Sequence, residues 1–569
     1  MKKLFALLLA LTLALSLGAV AFADNDDELI DYDLIPEDPA PMTDHVFTAY
    51  QIFSGTQAEN EDDNDELADI KWGSGVNGSD LLSALKGDSA FGTGNANIFK
   101  GCDSAAAVAE VFGGENITAE QAREFAQLAY DNKEGNGTAV VSNETKLASG
   151  YYLIVDTTTG DITSSENFVY NLSLLQLTDD NSTVQIASKV DYPTVEKKIV
   201  EGSEKKSVNE ASIGDLVNYE ITGTLPSNLN DYETYFYKFT DTLTKGLTFK
   251  DNIVVTQVDG DKTKDVTSSF SVKKTEYDPS NGTTITVTNQ NVKALEGVTS
   301  STKFVVTYSA MLNENAVIAG PNPNTVDLEY SNKPDKSRGG EPTPDDTPHD
   351  PTGKTPEKQT DTYTTELTIL KTDENGKALA GAEFELTGDG VNVVIVTAEN
   401  FVEDKNGEYW KLTDGTYTTD DPTTEGMDTS KYASTEIKYT KKTTITCDTK
   451  GNTPVPAKAF VDDKGLVTFT GLGVGKYTIT ETTTPAGYNT IAPISFTVGF
   501  DSTTAKFSTG AEDSVEVGTD NKLYTTIENQ SGTVLPETGG IGTTIFYVVG
   551  AVLVAGAAIV LFARKRAEE

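Results

Sequence analysis

Three residues that could react with one another sit on strand-like runs toward the end of the chain: Lys371 in LTILK, Glu481 in YTITE and Asn529 in LYTTIEN. Side chains two apart on a β-strand share a face. Lys371 therefore points with Leu367 and Ile369, Glu481 with Tyr477 and Ile479, and Asn529 with Leu523 and Ile527. An amine, an acid and a carboxamide all fall on an apolar side. The pattern recurs upstream, where Lys197 aligns with Val195 and Ile199, Asp241 with Phe239 and Leu243, and Asn324 with Val326, Leu328 and Tyr330. Lys198 is the rival to Lys197 but faces away with Glu196 and Val200; Asn322 is the weaker rival to Asn324. Burying a lysine and a carboxylate costs several kcal/mol per ion unless they pair or neutralise. Desolvation lowers the lysine pKa and raises that of the carboxyl, so the two can sit as neutral amine and neutral acid. The protonated acid can then hydrogen-bond the carboxamide oxygen while the amine attacks its carbon and ammonia leaves. Strand period alone does not separate that chemistry from an ordinary buried salt bridge near a strand end.

The chain termini supply a second kind of chemistry. Leu535, Pro536, Glu537, Thr538 and Gly539 spell LPETG, ahead of an uncharged stretch at 540–563 and then Arg564, Lys565 and Arg566. A helix needs roughly 20 apolar residues to cross a bilayer core, and the basic cluster would hold its end on the cytoplasmic side. The polar pentapeptide, apolar stop and basic brake together resemble the cell-wall sorting signal of Gram-positive surface proteins. That resemblance implies sortase cleavage between Thr538 and Gly539, with the Thr538 carbonyl passed to an amine. At the other end, Lys2 and Lys3 precede an apolar core, and Ala21-Phe22-Ala23 offers a small-x-small cleavage site. This is the layout of a secretory signal peptide. The expected localisation is the exported cell surface, with the precursor held in the plasma membrane by its C-terminal helix.

Composition narrows the function classes. At 569 residues the chain is too long for one core. A net charge of -43 argues against nucleic acid as a partner, because such binding needs basic patches. Only His45 and His349 are available as histidine bases, which disfavours turnover chemistry of that kind. Cys102 and Cys447 fall in different expected domains, so a bridge between them is not expected, and robustness must come from elsewhere. Neither precedes a Gln, so no thioester pair is present. The carboxylate-dense run at 59–69 lacks the Gly and terminal Glu of an EF-hand and reads as a solvated loop. No cofactor or metal site is expected.

Organisation follows from turn signals and periodicity. The first expected domain, 24–191, is mainly β with helical insertions. Ser104 caps a helix at 105–112, and Thr118 with Gln121 forms a capping box ahead of the stripe Ala122, Phe125, Ala126, Ala129 and Tyr130. A second domain, 192–332, consists of short β-rich runs between Gly, Asn, Asp and Pro residues, as in a β-sandwich. Residues 333–362 read as a Pro/Asp/Thr-rich linker. A third domain, 363–530, opens with two strand-like runs around Asn375-Gly376, a hairpin signal. The fold class is mainly β: tandem immunoglobulin-like sandwiches plus a C-terminal transmembrane helix within 531–569, after a signal peptide at 1–23.

The opening of the third domain, TELTILKTDENGKALAGAEFEL, resembles the B-type repeat of collagen-binding adhesins shared with Spa-type pilins. Residues 477–488 resemble the pilin E-box, with Glu481 as its acid. The second domain resembles the isopeptide-forming middle domain of fimbrial major subunits. The resemblance implies autocatalytic Lys371–Asn529 and Lys197–Asn324 bonds, promoted by Glu481 and Asp241. It further implies a sortase-assembled pilus: a structural subunit and sortase substrate, not a turnover enzyme. Its partners would be pilus-class and housekeeping sortases, identical and minor pilins, peptidoglycan and an unidentified host surface ligand. The family places its polymerisation lysine directly after Tyr-Pro, where this chain has Tyr192-Pro193-Thr194. Lys189 is the nearest unspent lysine there, with Lys198 next. The alternative is a monomeric wall-anchored adhesin with the same stalk domains.

Overall fold

The computed structural model describes residues 45–59, 65–114, 117–141, 145–159, 169–170, 172–177, 182–185, 191–333 and 352–532, with short strands at Ala23–Asn25 and Ile30–Asp31. Most of the signal peptide, Lys189, His349, the LPETG residues and the expected membrane helix lie outside the described residues. Among the described residues no helix is long and apolar enough to cross a membrane. The chain divides into two compact units. One comprises Met1–Ser207, Val217–Ala310 and Pro323–Asp361; the other comprises Val208–Leu216, Met311–Asn322 and Thr362–Glu569.

The N-terminal part of the first unit is built on the strand Phe47–Glu59. It pairs antiparallel with Asp65–Trp72 on one side and Gly150–Asp156 on the other, and Leu172–Leu177 extends the sheet. Helices Gly78–Gly87, Ala105–Phe112 and Ala119–Asp131 accompany this sheet. The Ser104 hydroxyl accepts from the Ala107 N–H, and Thr118 and Gln121 form the reciprocal capping box. Ala122, Phe125, Ala126 and Ala129 are buried, with Phe125 stacked on Phe112 at 4.0 Å and near Phe53 at 6.2 Å. Helix Gly78–Gly87 was not legible in the sequence: its inward signal is only Leu81 and Leu85, one turn apart, behind an Asn77 cap. The acidic run read as a loop also differs, because its flanks, Phe47–Glu59 and Asp65–Trp72, are paired strands.

The remainder of this unit is a two-sheet arrangement. One sheet runs in the order Glu204–Lys206, Val195–Glu201, Leu216–Thr224, Lys303–Leu312, Val254–Asp259 and Lys262–Asp265. The other contains Lys358–Tyr363, Asn322–Ser331, Tyr237–Leu243, Thr283–Asn289 and Ser271–Lys274. Tyr237–Leu243 alternates buried and half-buried along its whole length, as a strand with one face on a core must. Ile199, Tyr219, Ile221, Phe239, Val306 and Leu328 are among the buried residues. The stretch read as linker is partly strand: Thr352–Lys354 pairs antiparallel with Asn322–Ser331, and Lys358–Tyr363 joins the same sheet. Thr360 is buried there, and the Thr355 N–H reaches the Leu328 carbonyl at 3.0 Å. Alternating threonines suit a pleated surface but carry no apolar signature, so Pro and Asp dominated the sequence reading.

In the second unit, Thr365–Asp373 lies between Leu466–Leu472, antiparallel, and Leu523–Asn529, parallel. Glu383–Gly388 pairs instead with Lys458–Phe460 and Gly475–Thr483. Asn375-Gly376 closes a short hairpin, with Thr372 opposite Ala378, the Asp373 N–H on the Lys377 carbonyl and the Leu379 N–H on the Lys371 carbonyl, but the longer strands beyond it do not pair with each other. Gly376 adopts φ +75°, the Asp373 carboxylate accepts from the N–H groups of Asn375 and Lys377, and the strands on either side go to different partners. A tight turn fixes chain reversal; continued pairing depends on which apolar face each strand can bury. Leu367, Ile369, Phe384, Val396, Phe469, Ile479, Leu523 and Ile527 lie in one core. Cys102 and Cys447 are buried free thiols, and burial pushes the Cys447 thiol up to about 11.

Candidate functional site

The middle two-sheet region contains a buried polar cluster. Lys197, on Val195–Glu201, is 2% exposed; Asp241, on Tyr237–Leu243, is 1% exposed; Asn324, on Asn322–Ser331, is fully buried. Lys197 belongs to one sheet, opposite Ile221, and the other two to the second sheet, where Asn324 pairs across from Leu243 and Asp241 from Val326. The Lys197 ammonium is in direct contact with the Asp241 carboxylate. Burial lowers the lysine pKa against the opposing pull of Asp241. Burial likewise raises that of Asp241 against the opposing pull of Lys197 and the hydrogen bond from Tyr308. Both shifts favour the neutral amine and neutral acid.

Tyr308 is the member of this cluster that strand period did not single out. Its hydroxyl accepts from Lys197 Nζ at 3.1 Å and from Asn324 Nδ2 at 2.7 Å, and donates to Asp241 Oδ1 at 2.8 Å. The ring stacks against Tyr219 at 5.2 Å, and Lys197 Nζ lies 5.3 Å and 5.4 Å from the two ring centroids. The available signal was a tyrosine on the buried side of KFVVTYSAML, since a buried phenol must find a partner. Among the described residues Asn324 Oδ1 is buried with no hydrogen-bond partner, while its Nδ2 shares the Tyr308 hydroxyl with Lys197 Nζ.

The rivals are placed elsewhere. Lys198 is on the outward side, bonded to Glu196 at 3.1 Å and Ser207 at 3.4 Å. Asn322 is buried, but its carboxamide is committed to the backbone: Oδ1 accepts from the Val317 N–H, and Nδ2 donates to the Val317 and Thr362 carbonyls.

A second cluster occupies the other unit. Lys371 and Asn529 are fully buried and Glu481 is 5% exposed. Lys371 and Asn529 lie on neighbouring parallel strands, two register positions apart: Lys371 pairs with Ile527 and Asp373 with Asn529. Glu481 Oε1 accepts directly from Asn529 Nδ2 at 2.9 Å, and Oε2 accepts from the Ile491 N–H at 3.1 Å. Lys371 Nζ donates to the Thr372 and Ile527 carbonyls at 2.9 and 3.0 Å. Burial lowers its pKa, opposed by the charges of Glu481, Glu528 and Asp373. Asn529 Oδ1, like Asn324 Oδ1, is buried without a partner among the described residues. Gly465, at φ +75°, lets its own strand end approach: an added Cβ would stand 2.5 Å from the Lys371 carbonyl oxygen.

Both clusters overlap stretches of the chain that known families also contain. Residues 213–334 match the Gram-positive pilin backbone subunit 2, Cna-B-like domain. Residues 427–513 match the SpaA prealbumin-like fold domain, and residues 527–569 the LPXTG cell wall anchor motif. The trypsin-resistant surface T6 protein of Streptococcus pyogenes serotype M6 is 24% identical over 441 residues, covering 74% of this chain and 76% of that protein. Among solved structures, the T6 backbone pilin of serotype M6 S. pyogenes aligns over 90% of this chain and all of its own at 16% identity and a TM-score of 0.46. The full-length major pilin SpaD from Corynebacterium diphtheriae aligns over 91% of this chain and 98% of its own at 18% identity and a TM-score of 0.37. The chain thus carries a Gram-positive pilin backbone domain, a prealbumin-like fold domain and a cell wall anchor motif, and the last marks it as an exported, cell-wall-attached surface protein.

Proposed function

We propose that this chain forms the shaft of its pilus. A sortase cleaves between Thr538 and Gly539 and joins the Thr538 carbonyl to a lysine of the next subunit; Lys189 is that lysine, with Lys198 the runner-up. Pilus-class sortase performs polymerisation and housekeeping sortase the transfer to peptidoglycan, with minor pilins and a host surface ligand as further partners. Within each subunit, Lys197 condenses with Asn324 beside Asp241, and Lys371 with Asn529 beside Glu481. In each case the Nζ–Cγ bond forms, the Cγ–Nδ2 bond breaks, and one Nζ proton leaves with Nδ2 as ammonia. The observation that carries this reading is the burial of amine, acid and carboxamide together, twice, in a chain with a cell-wall anchor motif. A shaft loaded in tension gains most from such bonds, because force passes through covalent ties instead of sheet hydrogen bonds.

The test is a cell-wall extract. The shaft reading expects a detergent-resistant ladder that vanishes in Thr538→Ala and collapses to monomer in Lys189→Ala. The sequence Tyr192-Pro193-Thr194 favours a second reading, a monomeric anchored adhesin, for which extracts would show one band whatever stands at position 189.

A further inference from the structure

The two clusters connect acid to carboxamide differently. In the second unit Glu481 touches Asn529 directly. In the middle region, among the described residues, the hydrogen-bonded route from Asp241 to Asn324 runs through the Tyr308 hydroxyl. That hydroxyl is also within hydrogen-bond distance of the attacking nitrogen, Lys197 Nζ, and all four residues are at least nine-tenths buried. No water is needed to complete the circuit.

We infer that Tyr308 is a catalytic residue of the Lys197–Asn324 condensation, relaying a proton from Asp241 to the departing nitrogen of Asn324. The inference rests on the crosslinking proposed above. Lys197 Nζ attacks Asn324 Cγ and gives up a proton to the Asp241 carboxyl it already touches. Asp241 passes its own proton to the Tyr308 oxygen as the phenol proton moves to Asn324 Nδ2. The Cγ–Nδ2 bond breaks, ammonia leaves, and both Asp241 and Tyr308 return to their starting protonation states. The contacts supply the path: Tyr308 accepts from Nδ2 and donates to Asp241 in the resting state, and delivery requires donor and acceptor to exchange along both of these existing contacts. The stacked Tyr219 ring holds the phenol in place. Glu481 needs no such intermediary, so the second cluster is an internal control in the same molecule.

The test follows both crosslinked peptides by mass spectrometry of the full chain, sampled over time after its release from cell-free synthesis. Positioned proton transfer contributes on the order of 100-fold in rate. Tyr308→Phe should therefore slow the Lys197–Asn324 bond by about that factor while leaving the Lys371–Asn529 bond at its wild-type rate. A wild-type rate for both bonds in Tyr308→Phe overturns the relay. Absence of the Lys197–Asn324 peptide from wild-type protein would instead overturn the underlying crosslink. Replacing Tyr308 with 3,5-difluorotyrosine preserves ring and hydroxyl but alters phenol acidity. A changed rate for the first bond alone supports proton relay; an unchanged rate assigns Tyr308 a merely structural role and overturns the inference.

Discussion

Asn529→Ala is expected to lower the stability of the C-terminal unit by about 5 kcal/mol, from loop-closure arithmetic for a tie enclosing about 160 residues. For a structure of this size each kcal/mol moves the midpoint by about 2–4 °C, so the thermal transition should fall by about 10–20 °C. The reasoning is topological. Lys371 and Asn529 lie on adjacent parallel strands near opposite ends of the unit's long final segment, so their bond removes more unfolded-state freedom than a local crosslink would. The asparagine itself contributes one hydrogen bond, to Glu481, whose loss is worth about 1 kcal/mol or somewhat more for a charged acceptor. A scanning calorimetry shift of only a few degrees would therefore match loss of the hydrogen bond alone, and would contradict the crosslink.

Asp241→Ala should do more damage than removal of Asn324. It prevents the Lys197–Asn324 bond, which encloses about 130 residues and is again worth about 5 kcal/mol. It also strands Lys197 in the core without its carboxylate, which costs about 3–5 kcal/mol. The sum approaches the whole stability of an ordinary domain, so rapid proteolysis of the middle region is the expected result. Asp241→Asn should lose the bond but retain volume and a polar partner, and survive better. The pH dependence has a definite sign. Burial holds the folded Lys197 pKa below its ordinary 10.5, so the folded state binds fewer protons than the unfolded state up to that value. The penalty in Asp241→Ala is therefore fully present below the lowered folded pKa and eases as pH rises from there toward 10.5. Stability that falls with rising pH over that range would show that Lys197 is not the stranded group.

The inward placement of Lys197, Asp241 and Asn324 was legible because each sits on a strand whose alternation is uninterrupted by turn residues; the same holds for Lys371, Glu481 and Asn529. What the two-residue period cannot supply is a partner's identity across the core. Tyr308 reads as one more inward aromatic until three hydrogen bonds meet at its hydroxyl. Nor could the period show that Lys371 Nζ is turned to the carbonyls of Thr372 and Ile527 while Glu481 holds Asn529. Elements whose inward residues are glycine, threonine or a single leucine pair escaped notice, as at Thr352–Lys354, Lys358–Tyr363 and Gly78–Gly87, because burial there rests on few apolar atoms. The Asn375-Gly376 turn was a local signal, and local chemistry does not determine which sheet receives the strands that leave it.

Intact mass of the purified chain tests the central claim most directly. Two lysine–asparagine condensations each expel one ammonia, so the measured mass should fall short of the calculated mass by two ammonia molecules, and by one in either Asn324→Ala or Asn529→Ala after allowance for the substitution. A mass equal to that calculated from the uncrosslinked sequence would contradict the account.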